Sequence, residues 1–252
     1  NHQIALYFYK KLHSLKLIID IGNTTTKLAL FDGKELNKHK GVDSLTLENV
    51  QQFILLNKVS SAILTSVKNI SKEFSEVINE FNAMVLSANT SLPIENNYAT
   101  PSSLGKDRLA AVVGASVLYP GKDVLVFDAG TCLTIDFINS DKEYVGGRIS
   151  PGIEMRYNAL HTFTDKLPLI KREKNGLVIG NDTRTSIISG VQQGILAEVK
   201  TIISEYKRKN TDTVFVFTGG DSFYFEKELK NSIFANPNLV LIGLNEILDY
   251  NV

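Results

Sequence analysis

With a single cysteine, Cys132, the chain cannot form an internal disulfide, and a reducing cytoplasm is the simplest setting for it. Its four histidines, His2, His13, His39 and His161, are scattered without ligand spacing, which argues against a histidine metal site. Neither sign of charge is in excess: 27 Lys and Arg balance 27 Asp and Glu, which argues against nucleic acid or an anionic membrane as the main partner. No apolar stretch is long enough to span a membrane. Gly/Ser-rich linkers, Pro-rich linkers and low-complexity tracts are missing as well. The basic clusters Lys171-Arg172 and Lys207-Arg208-Lys209 are short. The second ends an amphipathic helix carrying Ile187, Ile188, Val191, Ile195, Val199, Ile202, Ile203 and Tyr206, where cations suit the helix dipole.

What the chain does have is one phrase stated twice. Leu17-Ile18-Ile19-Asp20-Ile21-Gly22-Asn23-Thr24 returns as Val124-Leu125-Val126-Phe127-Asp128-Ala129-Gly130-Thr131. Each apolar run reads as a strand buried on both faces, so the Asp sits where the strand leaves the core. Lys27-Leu28-Ala29-Leu30-Phe31 and Leu133 to Ile138 read as return strands, making each copy a hairpin with one carboxylate at its tip. Gly22 and Gly130 open the backbone amides to a phosphate, and Asn23, Thr24, Thr25 and Thr131 add short donors. On chemistry alone both carboxylates suit Mg²⁺, which takes oxygen ligands and shares them with phosphates. A third strand, Val214 to Phe217, ends in Thr218-Gly219-Gly220-Asp221, where backbone can again approach a ligand. Gly22-Asn23-Thr24-Thr25-Thr26-Lys27 lacks the second glycine of a Walker loop, which argues against a P-loop fold.

Between the hairpins the pattern predicts a helix over 44–56, a strand over 61–64, a helix over 71–81 and a strand over 83–86, an α/β alternation. Residues 92–103 read as a surface loop, followed by a helix over 106–119 that Pro120-Gly121 ends. Gly105-Lys106-Asp107-Arg108 opens that helix. A carboxylate is favoured at a helix N-terminus, and a phosphoryl transfer with a loose transition state needs one only to orient a hydroxyl and accept its proton late. Arg108 offers a planar fork for a substrate carboxylate, and Tyr98 in the preceding loop closes the same pocket. Gly146-Gly147 and Pro151-Gly152 read as two tight turns around a return strand.

This order of motifs resembles the superfamily of acetate and sugar kinases, heat-shock chaperone ATPases and actin. The set Asp20-Ile21-Gly22-Asn23-Thr24, Tyr98 with Gly105-Lys106-Asp107-Arg108, Asp128-Ala129-Gly130-Thr131, Gly146-Gly147-Arg148-Ile149-Ser150-Pro151-Gly152, Leu167-Pro168 and Gly180-Asn181-Asp182-Thr183 is similar to type III pantothenate kinases. The resemblance implies an α/β fold of two duplicated ribonuclease-H-like domains with ATP in the cleft between them. It implies phosphorylation of pantothenate by ATP, the first step of coenzyme A synthesis, with a divalent ion such as Mg²⁺ and a monovalent cation, K⁺ or NH₄⁺.

Residue by residue, the resemblance assigns Asp20, Ile21, Gly22, Asn23, Thr24, Thr25, Thr26, Lys27 and Thr131 to ATP, with Asp20 near Mg²⁺. Asp107 matches the proton acceptor, and Tyr98, Gly105, Lys106, Asp107, Arg108 and Thr183 match the pantothenate pocket. Asp128 matches the K⁺ ligand, which replaces the Mg²⁺ role read from its chemistry. Many relatives carry a small residue where Lys106 stands, and solvent is the favoured direction for its side chain. A homodimer is implied too, with the segment around 146–160 at the contact. The expected domains are 15–117 and 118–252, preceded by an extension over 1–14 that does not have the pattern of a secretory signal. The competing readings are a sugar or acetate kinase, a catalytically silent ATP-binding regulator and an actin-like polymer. Asp20, Asp107, Arg108 and Asp128 together argue against silence, and the short length argues against a polymer.

Overall fold

A computed structural model of the chain describes residues 14–55, 57–173, 177–230 and 233–252. Apart from Ser14, the first residue of a strand, the extension read over residues 1–14 lies outside them. The chain packs as two units, one holding the described residues up to Leu118 with Asn238–Val252, the other Tyr119–Pro237.

In the first unit the hairpin is β1 (Ser14–Ile21) and β2 (Thr26–Asp32), followed by β3 (Glu35–Val42), α1 (Leu47–Ile54), β4 (Lys58–Ser66), α2 (Lys72–Phe81) and β5 (Met84–Val85). The sheet order is β3-β2-β1-β4-β5, antiparallel among the first three strands and parallel from β1 through β5. Leu17, Ile19, Ile21, Leu28, Leu30 and Leu64 pack against Val50 and Phe53 of α1 and Val77 of α2. The alternate residues Ile18, Ala29 and Ile63 are buried too, as uninterrupted apolar strands require. Thr46 and Ser71 cap the two helices by accepting from the amides of Asn49 and Phe74, so both helices start inside the predicted spans or at their edge. β3 was not predicted. Its sequence, ELNKHKGV, is an exposed, lysine-bearing edge with no apolar alternation to read. After β6 (Glu95–Asn96) and a single 3₁₀ turn at Pro101–Ser103, α3 (Lys106–Leu118) begins.

The second unit repeats the plan with β7 (Val124–Ala129), β8 (Cys132–Ile138), β9 (Glu143–Pro151), α4 (Ile153–Thr162), α5 (Thr183–Lys209), β10 (Val214–Thr218), α6 (Ser222–Leu229) and β11 (Phe234–Ala235). Its strands run β11-β10-β7-β8-β9, with the same antiparallel and parallel pairings. Phe127 and Phe217 stack at 4.3 Å beneath Val191, Ile195 and Val199 of α5. The basic cluster Lys207-Arg208-Lys209 forms the exposed last turn of that helix. Gly146-Gly147 is not a turn. It lies inside β9 opposite Phe137 and Asp136, where a bulge and a Gly146 φ of +137° let the strand continue.

The last helix, α7 (Leu239–Asn251), belongs by its packing to the first unit, whereas the sequence reading placed the whole of 118–252 in the second. The cause is a close crossing with α3: a Cβ on Gly114 would stand 2.3 Å from the Leu239 carbonyl oxygen, and one on Gly243 would stand 1.8 Å from that of Ala110. Two helices that touch backbone to backbone need glycine at the contact. Lys16 of β1 then pairs with Asp249 of α7 at 2.6 Å, and Asn245 donates to the Gly33 carbonyl at 3.2 Å.

Candidate active site

The first hairpin ends in a carboxylate that the sheet holds out of water. Asp20 is 9% exposed, lies opposite Lys27 of β2 and is in register with Thr65 of β4. Burial pushes its pKa up to about 6; Lys27 opposes that shift, and the charge of Asp107 adds to it. The Asp20 and Asp107 carboxylates therefore stand within electrostatic reach of one another. Past Ile21 the chain turns through Gly22, whose amide donates to the Thr25 carbonyl at 3.1 Å, and Asn23, Thr24 and Thr25 project into solvent. Thr26 is buried at the start of β2, and Lys27 is half-buried.

At the start of α3, the Asp107 Oδ1 accepts from the Arg108 amide at 2.8 Å. A Cβ on residue 105 would stand 2.6 Å from that oxygen, so Gly105 leaves the room the carboxylate occupies. Arg108 is buried to 5% exposure, with its guanidinium 5.7 Å from the centre of the Tyr98 ring. Tyr98 is set in its loop by its own amide, which donates to Asn96 Oδ1 at 3.2 Å. Lys106 does not face open solvent. It is half-buried and donates to the carbonyls of Leu104 and Pro101 at 3.0 and 3.4 Å, and burial lowers its pKa. The structure thus gathers Asp20 and Lys27 with Asp107, and Tyr98 with Arg108, within one unit.

In the second unit Asp128 is half-buried near the end of β7, opposite Thr134 of β8 and beside Thr218 of β10. Its tip is only Gly130-Thr131, closed by the Gly130 amide donating to the Cys132 carbonyl at 2.9 Å, with Thr131 exposed. Two glycines wall it in. A Cβ on Gly152 would stand 2.2 Å from the Gly130 carbonyl, and one on Gly219, at φ +85°, would stand 2.4 Å from the Ala129 carbonyl and 2.5 Å from Asp128 Oδ1. The glycine read as an approach to a ligand thus serves first an approach to the protein's own carboxylate. Thr183 is the exposed first residue of α5, behind the cap Asp182, which takes part in a capping box with Thr185. Gly180 lies flat on that helix start, where a Cβ would meet the Ser186 amide nitrogen at 2.2 Å. His161 is an exposed residue of α4, its Nδ1 2.8 Å from the Leu167 carbonyl.

Sequence reasoning missed three hydroxyls. Thr65, Thr134 and Thr218 have buried Oγ1 atoms without a hydrogen-bond partner among the described residues, and each flanks a tip carboxylate. Threonine is an ordinary strand residue, so only the register reveals them. As to metal, no group of three or more His, Cys, Asp and Glu side chains that could hold an ion exists among the described residues. One buried carboxylate with neighbouring hydroxyls fits an ion that takes most of its oxygens from phosphates and water, which is the habit of Mg²⁺.

Comparison with known proteins bears on the family and the fold. The family model described as type III pantothenate kinase matches residues 16–205. Type III pantothenate kinases of Bacteroides fragilis and Cytophaga hutchinsonii are each 44% identical to the chain, across 94% of it and 98% and 100% of their own lengths. Among solved structures, a conserved putative Baf family transcriptional activator from Campylobacter jejuni superposes with a TM-score of 0.61 at 22% identity, covering 93% of this chain and 98% of that one. A putative N-acetylmannosamine kinase from Listeria monocytogenes does so at 0.55 and 15%, covering 94% and 99%. These two likenesses speak to the fold, that of the actin-like ATPases, and the family follows from the sequence matches: the chain belongs to the type III pantothenate kinases.

Proposed function

We propose that the chain transfers the γ-phosphoryl group of ATP to the primary hydroxyl of pantothenate, the first step of coenzyme A synthesis, with Asp107 as proton acceptor. The observation that carries this reading is Asp107 itself, a half-buried carboxylate at a helix start, cleared by Gly105 and coupled in charge to Asp20. The pantothenate hydroxyl oxygen forms its bond to the γ-phosphorus as the bond to the ADP oxygen breaks, and its proton passes to a carboxylate oxygen of Asp107. Arg108 binds the pantothenate carboxylate, supported by its burial against Tyr98, which holds the guanidinium in one place. Gly105 and Thr183 take the remaining substrate contacts.

Phosphates lie on the first tip, where the backbone from Ile21 through Thr26 and the side chains of Asn23, Thr24, Thr25 and Lys27 offer donors. Asp20 would hold Mg²⁺, which when bound offsets phosphate charge in the transition state. The family resemblance assigns Thr131, on the second tip, to ATP as well. Asp128, with hydroxyls on both flanking strands, offers oxygen donors to a monovalent cation, K⁺ or NH₄⁺. A homodimer completes the reading. Phe163, Val178, Ile179 and Ile149 are 85, 71, 81 and 64% exposed, and Pro151, Ala159, Leu160 and Val191 help line an apolar groove of about 550 Å³ beside Phe163. So much bare apolar surface on one unit suits a second copy.

The test is phosphate transfer from ATP to pantothenate with Mg²⁺, run in K⁺ and in Na⁺. Pantothenate-dependent product that K⁺ stimulates supports the whole reading; folded protein that binds ATP yet forms no product in either salt overturns it.

A further inference from the structure

Both tip carboxylates share a neighbour that no motif announces. On the parallel strand beside β1, Thr65 is in register with Asp20; on the parallel strand beside β7, Thr218 is in register with Asp128. Registered neighbours on adjacent strands point to the same face of the sheet, close enough for side chains to meet. Both threonines are 1% exposed, and the Oγ1 of each has no hydrogen-bond partner among the described residues. A buried hydroxyl left unpaired is costly, and valine would fill the same space without that cost. The same expensive choice beside the same carboxylate in both units marks a hydroxyl whose partner arrives in another state of the site.

We propose that Thr65 is a positioning residue for nucleotide binding: when Mg²⁺ and ATP occupy the first tip, its hydroxyl turns about χ1 and donates to the Asp20 carboxylate. One oxygen of Asp20 is then fixed by Thr65, and the other is presented to the ion or to its water. This rests on the reading of Asp20 as the carboxylate that serves Mg²⁺. Thr65 acts only through Asp20, its registered neighbour. The hydroxyl does nothing for ATP offered without the ion.

The experiment measures binding rather than turnover. ATP is titrated calorimetrically into the parent protein, Thr65→Val, Thr65→Ser and Asp20→Asn, once with excess Mg²⁺ and once with EDTA. Thr65→Val is expected to weaken binding about tenfold with Mg²⁺ and less than about twofold without it, the usual worth of a hydrogen bond to a charged group. Thr65→Ser, which keeps the hydroxyl, is expected to stay near the parent. Thr65→Ala repeats the test should the valine variant not fold. If Thr65→Val binds like the parent in Mg²⁺ while Asp20→Asn does not, the threonine has no such role and the Asp20 reading survives. Equal losses with and without Mg²⁺, or a serine variant as weak as valine, reduce Thr65 to a packing residue. An Asp20→Asn variant that binds like the parent removes both the Asp20 reading and the inference built on it.

Discussion

At the same place in two sheets of the same topology, Asp20 faces Lys27 across its hairpin whereas Asp128 faces Thr134. The first carboxylate has a cation built into the next strand; at that ladder position the second has only a hydroxyl. The turns differ as well. The first tip is long and open, with Asn23, Thr24 and Thr25 in solvent, while the second is two residues long and pinned from both sides by Gly152 and Gly219. One plan thus carries two chemistries: an open tip with donors and a lysine suits a polyanion, and a braced tip with hydroxyls suits a small cation. The two helices that cross within the first unit differ as well, since α3 opens with Lys106-Asp107-Arg108 and α7 with the buried pair Leu239-Val240.

The largest effect is expected where that last difference is erased. Asp107→Asn should lower turnover about 100-fold or more, the range for loss of a general base, while ATP still binds. Steady-state rates beside nucleotide titration check this, and near-parental turnover would move the proton acceptor elsewhere.

The comparison sharpens in the metal-free protein through pH. Asp20 holds its proton up to about pH 6 in the folded state, against an ordinary value of 3.8. Below the ordinary value it is protonated in both states. Between the two values the folded state binds the extra proton, so stability falls as pH rises, and above about 6 the full penalty is present. Two pH units correspond to about 3 kcal/mol. Asp20→Asn should therefore stabilise the metal-free protein by up to that amount at pH 8 and by almost nothing at pH 3.5. Urea unfolding at the two pH values checks this; an equal gain at both would mean the carboxyl is not strained by burial.

Next comes the bracing of the tips. Gly219→Ala meets the Ala129 backbone and the Asp128 carboxylate at a positive φ and should cost roughly 2–4 kcal/mol. Gly22→Ala meets only the Thr25 carbonyl at 3.0 Å and should cost about 1 kcal/mol or less. Thermal unfolding of the two variants should rank them in that order, and a reversed order would mean the first tip is the rigid one.

Much of this was legible in the sequence because duplication is a loud signal: the two apolar runs with Asp and Gly at matched positions gave both hairpins, and Gly105 to Arg108 marked α3. Silence had physical causes elsewhere. The edge strand β3 keeps little apolar surface, so no alternation betrays it, and the positive φ of Gly146 looks in sequence like a turn. The return of α7 to the first unit is decided by Gly114 against Gly243, two residues far apart in the chain and each unremarkable alone. Thr65 and Thr218 become visible only when strand register puts them beside a carboxylate.

The smallest effect is expected at Lys106, and it tests where the first unit's positive charge is used. An ammonium aimed at the transferring phosphate would add to what Lys27 supplies. Lys106 instead donates to the Leu104 and Pro101 carbonyls, and so holds the turn that leads into Gly105. Lys106→Met keeps the aliphatic stem and removes only those donors. The KM values for ATP and pantothenate should each change by less than about threefold, with stability lower by about 1 kcal/mol, because one net hydrogen bond is worth no more than that. A tenfold rise in the ATP KM at unchanged stability would instead put the Lys106 charge on the phosphate and leave the 101–104 turn to hold itself.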